Sequence, residues 1–181
     1  MSAGALPHIV DFRGLASRGA RVAGVVALEK LQRLSAVVVG AQGPAEVDIQ
    51  FDRDEMGRHV ATLKVSMQVE VECQRCLEPM PVTLEGNSRI AALWSESQIA
   101  ELPEDVDPLI TGEETDLWLM VEEELLLSLP PYPLHENASC ATRAGRAMAD
   151  SGQVADTAEP VRENPFAVLE ALRNKSTENE P

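Results

Sequence analysis

From Leu63 to Glu72 polar and apolar residues alternate for about ten positions, and the run feeds directly into Cys73-Gln74-Arg75-Cys76-Leu77-Glu78-Pro79. Strict alternation over that length reads as a strand with one buried face. Pro79 blocks continuation of the ladder, and Val82-Thr83-Leu84 resumes a strand pattern, so the two cysteines stand at the tip of a hairpin. Two thiols at this spacing can close on one metal ion or on each other. A bare Cys-x-x-Cys is a common pattern, so the rest of the chain has to decide between these uses.

Around this hairpin the sequence supplies more strands and one good helix. Gly40 to Pro44 is a cluster of chain breakers, followed by the period-2 run Val47 to Phe51 and a polar turn from Asp52 to Gly57. Val82 to Trp94 alternates less strictly but stays strand-like, with Gly86-Asn87 as a candidate bulge or bend. Asp107-Pro108-Leu109-Ile110 is a candidate short strand. Consecutive strands joined by short turns imply an antiparallel sheet, open or barrel-like. Asp116 to Leu129 is the strongest helix: Asp116 can cap it, Leu117, Val121, Leu125 and Leu129 recur every fourth residue, and Pro130-Pro131 stops it. Trp118 and Met120 widen the stripe, and this face is expected to cover the sheet. Leu28, Leu31 and Leu34 predict a shorter amphipathic helix over 27–35.

The fold class expected is therefore α+β: an antiparallel sheet packed by one long amphipathic helix, with short helices toward each terminus. A chain of 181 residues suits one such domain with irregular tails. Residues 1–140 are read as that domain and 141–163, poor in large apolar groups, as a flexible linker. Within 164–181, Asn164 and Pro165 can start a short helix whose Phe166, Leu169 and Leu172 share a face suited to docking. Aromatic residues make up only 3%, so the core must be aliphatic.

Thirty acidic residues against 15 basic give a formal charge of -15, which disfavours nonspecific binding to a phosphate backbone. Basic proteins are the better-matched partners. Residues 1–40 depart from this balance: Arg13, Arg18, Arg21, Lys30 and Arg33 face only Asp11 and Glu29, so this region, through Arg13, Arg18, Arg21 and Arg33, is the candidate RNA contact. Glu96 to Glu124 holds eleven Asp and Glu and no Lys or Arg. Such runs are commonly solvated surface, and the alternative is a docking surface including Glu122, Glu123 and Glu124. No window approaches the ~18 apolar residues of a membrane span, and residues 1–6 lack the character of a secretory signal. With only three cysteines, a reducing compartment, the cytoplasm, is expected.

Cys73, Cys76, His135 and Cys140 form a candidate Cys3His set for zinc. The second pair lies far beyond the first, which is not a zinc-finger spacing, but both pairs fall on loops beside elements expected to pack together. The alternatives at this level are a buried Cys73 with an ordinary turn cysteine and loop histidine and, less favoured, a thiol redox pair. Redox use of a Cys-x-x-Cys favours a helix N-terminus in a βαβ setting rather than a hairpin. No Gly-rich phosphate loop, His-Glu-x-x-His or Gly-x-Ser-x-Gly is present. The carboxylates of Glu122, Glu123 and Glu124, adjacent on a helix, point in different directions and cannot readily share an ion. No catalytic site is expected, and no small-molecule substrate.

Four stretches taken in order resemble one family. These are Val71-Glu72-Cys73-Gln74-Arg75-Cys76-Leu77-Glu78-Pro79, then Asp116 through Pro130, then Pro133-Leu134-His135 with Cys140, then Asn164-Pro165-Phe166-Ala167-Val168-Leu169. They are similar to the YceD family, whose members are called large ribosomal RNA subunit accumulation proteins. The likeness covers most of the chain, more loosely in its first third and hardly at all over 141–163. It implies a bacterial cytoplasmic protein needed for synthesis, processing or stability of 23S ribosomal RNA, with no known catalytic activity. Its partner would be the large-subunit RNA precursor or a basic ribosomal or processing protein. The alternatives are an acidic adaptor or chaperone for a basic ribosomal protein, and a thiol redox protein.

Overall fold

The computed structural model describes residues 4–137 and Cys140. In chain order the elements are β1 (Ile9–Val10), α1 (Phe12–Ser17), β2 (Arg21–Val26), a 3-10 turn (Leu28–Lys30), α2 (Gln32–Ser35), β3 (Gly40–Ala41), β4 (Ala45–Arg53), β5 (His59–Glu72), β6 (Pro79–Leu93), a 3-10 helix (Glu96–Glu101), β7 (Asp107–Ile110), β8 (Thr115–Asp116) and α3 (Leu117–Leu127). The linker expected at 141–163 and the docking helix at 164–181, with Phe166 and Leu169, lie outside the described residues.

The alternating run is the sheet's centre. β5 pairs antiparallel with β6 from Val60↔Ala91 to Glu72↔Pro79 and with β4 from Glu46↔Ser66 to Arg53↔His59. Period-2 patterning puts Ile49, Phe51, Leu63, Met67, Val69 and Leu84 into one core, with polar residues on the opposite face. Phe12 of α1 meets Phe51 edge to face at 5.0 Å. From α3, Leu117, Met120, Val121 and Leu125 enter the same core.

The sheet order is β2-β4-β5-β6-β7, with β3 beside the distal half of β5. No pairing joins β2 to β7 among the described residues, so the sheet is open and the barrel alternative is corrected. β7 forms as expected but runs parallel to β6. The excursion from Ser95 to Val106 that returns the chain in parallel buries a second, small cluster of Val60, Ala91, Leu93 and Val106 on the other face. That explains why β6 is buried on both sides over its last residues while its first half alternates. The expected bulge at Gly86-Asn87 is absent: pairing continues through Val65↔Gly86 and Lys64↔Asn87. Gly86 instead makes room for the Glu124 side chain of α3, which any Cβ there would strike.

Two helix expectations are also revised. Asp116 does cap α3, accepting from the Leu119 N–H at 3.0 Å. The helix, however, is apolar well beyond one stripe, with Leu119 46% and Leu127 83% exposed. The helix over 27–35 is broken at Leu31, whose backbone is non-helical (φ -103°, ψ 79°). The break still buries Leu31 and Leu34 completely.

The first residues brace this arrangement. Leu6 N–H donates to Val25 O and Val25 N–H to Gly4 O, both at 3.0 Å. The crossing is possible because residue 24 is glycine: a Cβ there would sit 2.8 Å from Leu6 N and 2.9 Å from Gly4 O. β1 pairs with β8, His8 stacks on Trp118 at 4.0 Å, and Trp118 Nε1 donates to Leu6 O at 3.2 Å. No helix among the described residues is long and apolar enough to cross a membrane.

Candidate metal centre

Pairing of β5 with β6 stops at Glu72↔Pro79, leaving a six-residue turn that carries both thiols. Cys73 N–H donates to Glu78 O at 3.0 Å, and Leu77 N–H folds back onto Cys73 O at 2.9 Å. Such a tight reversal requires a left-handed residue, and Leu77 takes it, with φ +61°. The loop after α3 is laid against this turn by a hydrogen bond of 2.9 Å from Gln74 N–H to Pro133 O. Pro130 and Pro131 end α3 and direct the chain there. Cys140 N–H then bonds back to Asn137 O at 3.4 Å.

The result brings together all four residues singled out by their chemistry. One ligand atom from each of Cys73, Cys76, His135 and Cys140 lies within 4.8 Å of every other. Cys76 Sγ and His135 Nδ1 are 3.4 Å apart. In a tetrahedral zinc site with metal–sulfur bonds of about 2.3 Å, sulfurs stand about 3.8 Å apart, so the cluster is close to that size already. Cys73 and Cys140 are buried, Cys76 and His135 half-buried, and no disulfide links the three thiols.

The electrostatics fit a cation. Burial pushes the Cys73 thiol up, but N–H groups of His135, Arg75 and Cys76 and the His135 side chain aimed at its sulfur outweigh this and bring it to about 6. At Cys76 the Glu78 N–H pulls the other way, yet burial and the neighbouring Cys73 and Cys140 push its thiol up. One thiolate thus forms readily and opposes the next, a conflict that a divalent cation would remove. Arg75, which the spacing argument passed over, donates from Nη1 to Cys140 Sγ at 3.5 Å. Its position between the two cysteines was the available signal.

The other candidate residues are placed differently. Glu122 is buried (6% exposed) and accepts from Arg33 N–H at 2.7 Å and Leu34 N–H at 3.2 Å, capping α2. Glu123 pairs with Arg33 at 3.2 Å and Glu124 lies over Gly86, so the three carboxylates do not form one surface. Arg13 stacks on Trp94 at 3.5 Å and donates to Thr111 O and Gly112 O, and Arg21 makes a two-pronged pair with Asp48 at 2.6 and 2.8 Å. Arg18 is exposed and, alone of the four candidate arginines, has a side chain with no partner among the described residues. Two grooves of about 710 and 760 Å³, one beside Trp118 and one spanning β2, β4, β5 and β6, include none of the four centre residues. The first is lined by no serine, threonine or cysteine, and in the second no hydrogen bond among the described residues joins Ser66 to a base.

Comparison with known proteins places these features in context. Residues 61–173 match the family described as large ribosomal RNA subunit accumulation protein YceD. A protein of that name from Haemophilus influenzae is 35% identical over 172 residues, covering 94% of this chain and 97% of its own length. No solved structure matches the chain. With both halves of the Cys/His cluster inside the matched region, and the likeness running nearly end to end, the chain belongs to the YceD family.

Proposed function

We propose that the protein is a non-enzymatic, cytoplasmic factor for large ribosomal subunit biogenesis, supporting synthesis, processing or stability of 23S ribosomal RNA. In this reading a zinc ion held by Cys73, Cys76, His135 and Cys140 fixes the hairpin tip to the loop after α3. The observation that carries the zinc assignment is the convergence of four ligand atoms within 4.8 Å from segments almost sixty residues apart. Four protein ligands would leave no open position for a reactive water, as in structural rather than catalytic zinc sites. The ribosomal role is supported by family membership and by the name of the Haemophilus relative.

The thiol redox alternative is favoured by one observation, the Cys73 thiol brought to about 6. Cys73 is however completely buried, whereas a redox thiol must be reached by its partner. The functional test is complementation of a deletion strain by the wild type and by the Cys73→Ser/Cys76→Ser double variant. The wild type should restore the ratio of 23S to 16S RNA and the double variant should fail. Equal restoration by both would remove the centre from the function.

A further inference from the structure

The turn requires a left-handed residue at position 77, but nothing in the fold requires that residue to be leucine rather than glycine. Among the described residues Leu77 is the only non-glycine with positive φ, a conformation that glycine adopts freely and that any side chain disfavours. The side chain held there is 67% exposed, so the core gains little from it. On the loop laid against this turn, Tyr132 is 79% and Leu134 42% exposed. Two segments that the centre fastens together thus present three apolar side chains to solvent. Strain and exposure at one residue point to a contact with something else.

The charge around the tip selects what that is. Across 66–88 and 117–137 the only Lys or Arg is Arg75, which donates to Cys140 Sγ. Glu70, Glu72, Glu78 and Glu136 lie on the strand end, the turn and the loop that carry the patch. An apolar tip with acidic surroundings repels a nucleic acid or an anionic membrane, and repels a second copy of a chain of charge -15. We propose that Leu77, Tyr132 and Leu134 form a docking surface for a Lys/Arg-rich protein segment that inserts an apolar side chain at the tip. The inference rests on the reading of the Cys/His centre as the structural clamp of this tip, and names the chemistry of the partner it serves.

The test uses the full chain as purified, with no metal added or removed, as bait for a random peptide library, with Leu77→Gly and Tyr132→Ser as comparisons. Glycine relieves the backbone while removing the side chain. The thermal midpoint of Leu77→Gly should therefore hold or rise by about 2–4 °C, while affinity for the selected peptides falls about tenfold. Those peptides should carry Lys or Arg around one large apolar residue, weaken with salt, and lose affinity to Tyr132→Ser as well. Peptides without basic bias, affinity unchanged by Leu77→Gly, or a fallen midpoint in that variant would overturn the proposal. Leu77-dependent binding of a random single-stranded RNA pool would overturn it in favour of RNA. Zinc measured on the same samples separates the two readings: peptide binding without zinc sinks the clamp, and zinc without Leu77-dependent binding sinks the docking surface.

Discussion

Asp54 and Glu122 do structural work in this acidic chain from buried positions. Asp54 is held in the β4–β5 turn with its side chain 6% exposed, accepting from Met56 N–H, Arg58 N–H and Arg58 Nε at 2.6–3.0 Å. Burial pushes its carboxyl up, but the Arg58 guanidinium and the two N–H groups outweigh it and keep the carboxyl below the ordinary range. A carboxyl depressed on folding stabilises above its unfolded value of about 3.9 and loses that contribution as pH falls through its folded value. Asp54→Asn should therefore cost about 1–3 kcal/mol in urea unfolding at neutral pH, and the gap to wild type should shrink below about pH 4. A gap that stays constant with pH would remove the charge from the explanation. Glu122 makes a similar prediction without the pH arm. Glu122→Ala leaves two N–H groups of α2 without their acceptor and should cost about 1–3 kcal/mol, whereas loss of the exposed Glu123–Arg33 pair should cost less than about 1 kcal/mol. Equal costs would mean that burial of Glu122 is not what matters.

At the level of elements, what could be read from the sequence was what local pattern encodes. The alternation of β4 and β5 and the Asp116 start of α3 follow from neighbours in sequence, and they formed as expected, whereas β6 begins at Pro79 itself, paired with Glu72, and not at Val82. What failed depended on distant partners. The leucine spacing over 27–35 cannot reveal that Glu122, about 90 positions away, caps a new start at Arg33 and Leu34. Four residues of β7 show strand character but not the direction of pairing, which the intervening excursion sets. Gly24 belongs to the same class: its need is visible only once the chain at Gly4 to Leu6 crosses it. Because the obstruction is backbone on both sides, Gly24→Ala should displace that segment and cost about 1–3 kcal/mol. Faster hydrogen exchange at the Leu6 amide should accompany the loss; unchanged exchange there would show that the crossing adapts.

Across the whole molecule, the sheet fixes the hairpin tip, α3 with its proline stop returns the chain beside it, and four ligands arrive from two segments that are remote in sequence. The residue types were legible beforehand, since thiols and an imidazole on adjoining loops suit one chemistry. The convergence was not, because no spacing rule covers so long a gap, and neither was the engagement of Arg13, Arg21 and Arg33 with this chain's own groups. The most direct test of the account is elemental analysis of protein purified without a histidine tag, alongside the Cys73→Ser/Cys76→Ser variant. The account predicts about one zinc per chain in the wild type, and none in the variant, whose thermal midpoint should fall. Metal-free wild type that folds with an unchanged hairpin tip would contradict it.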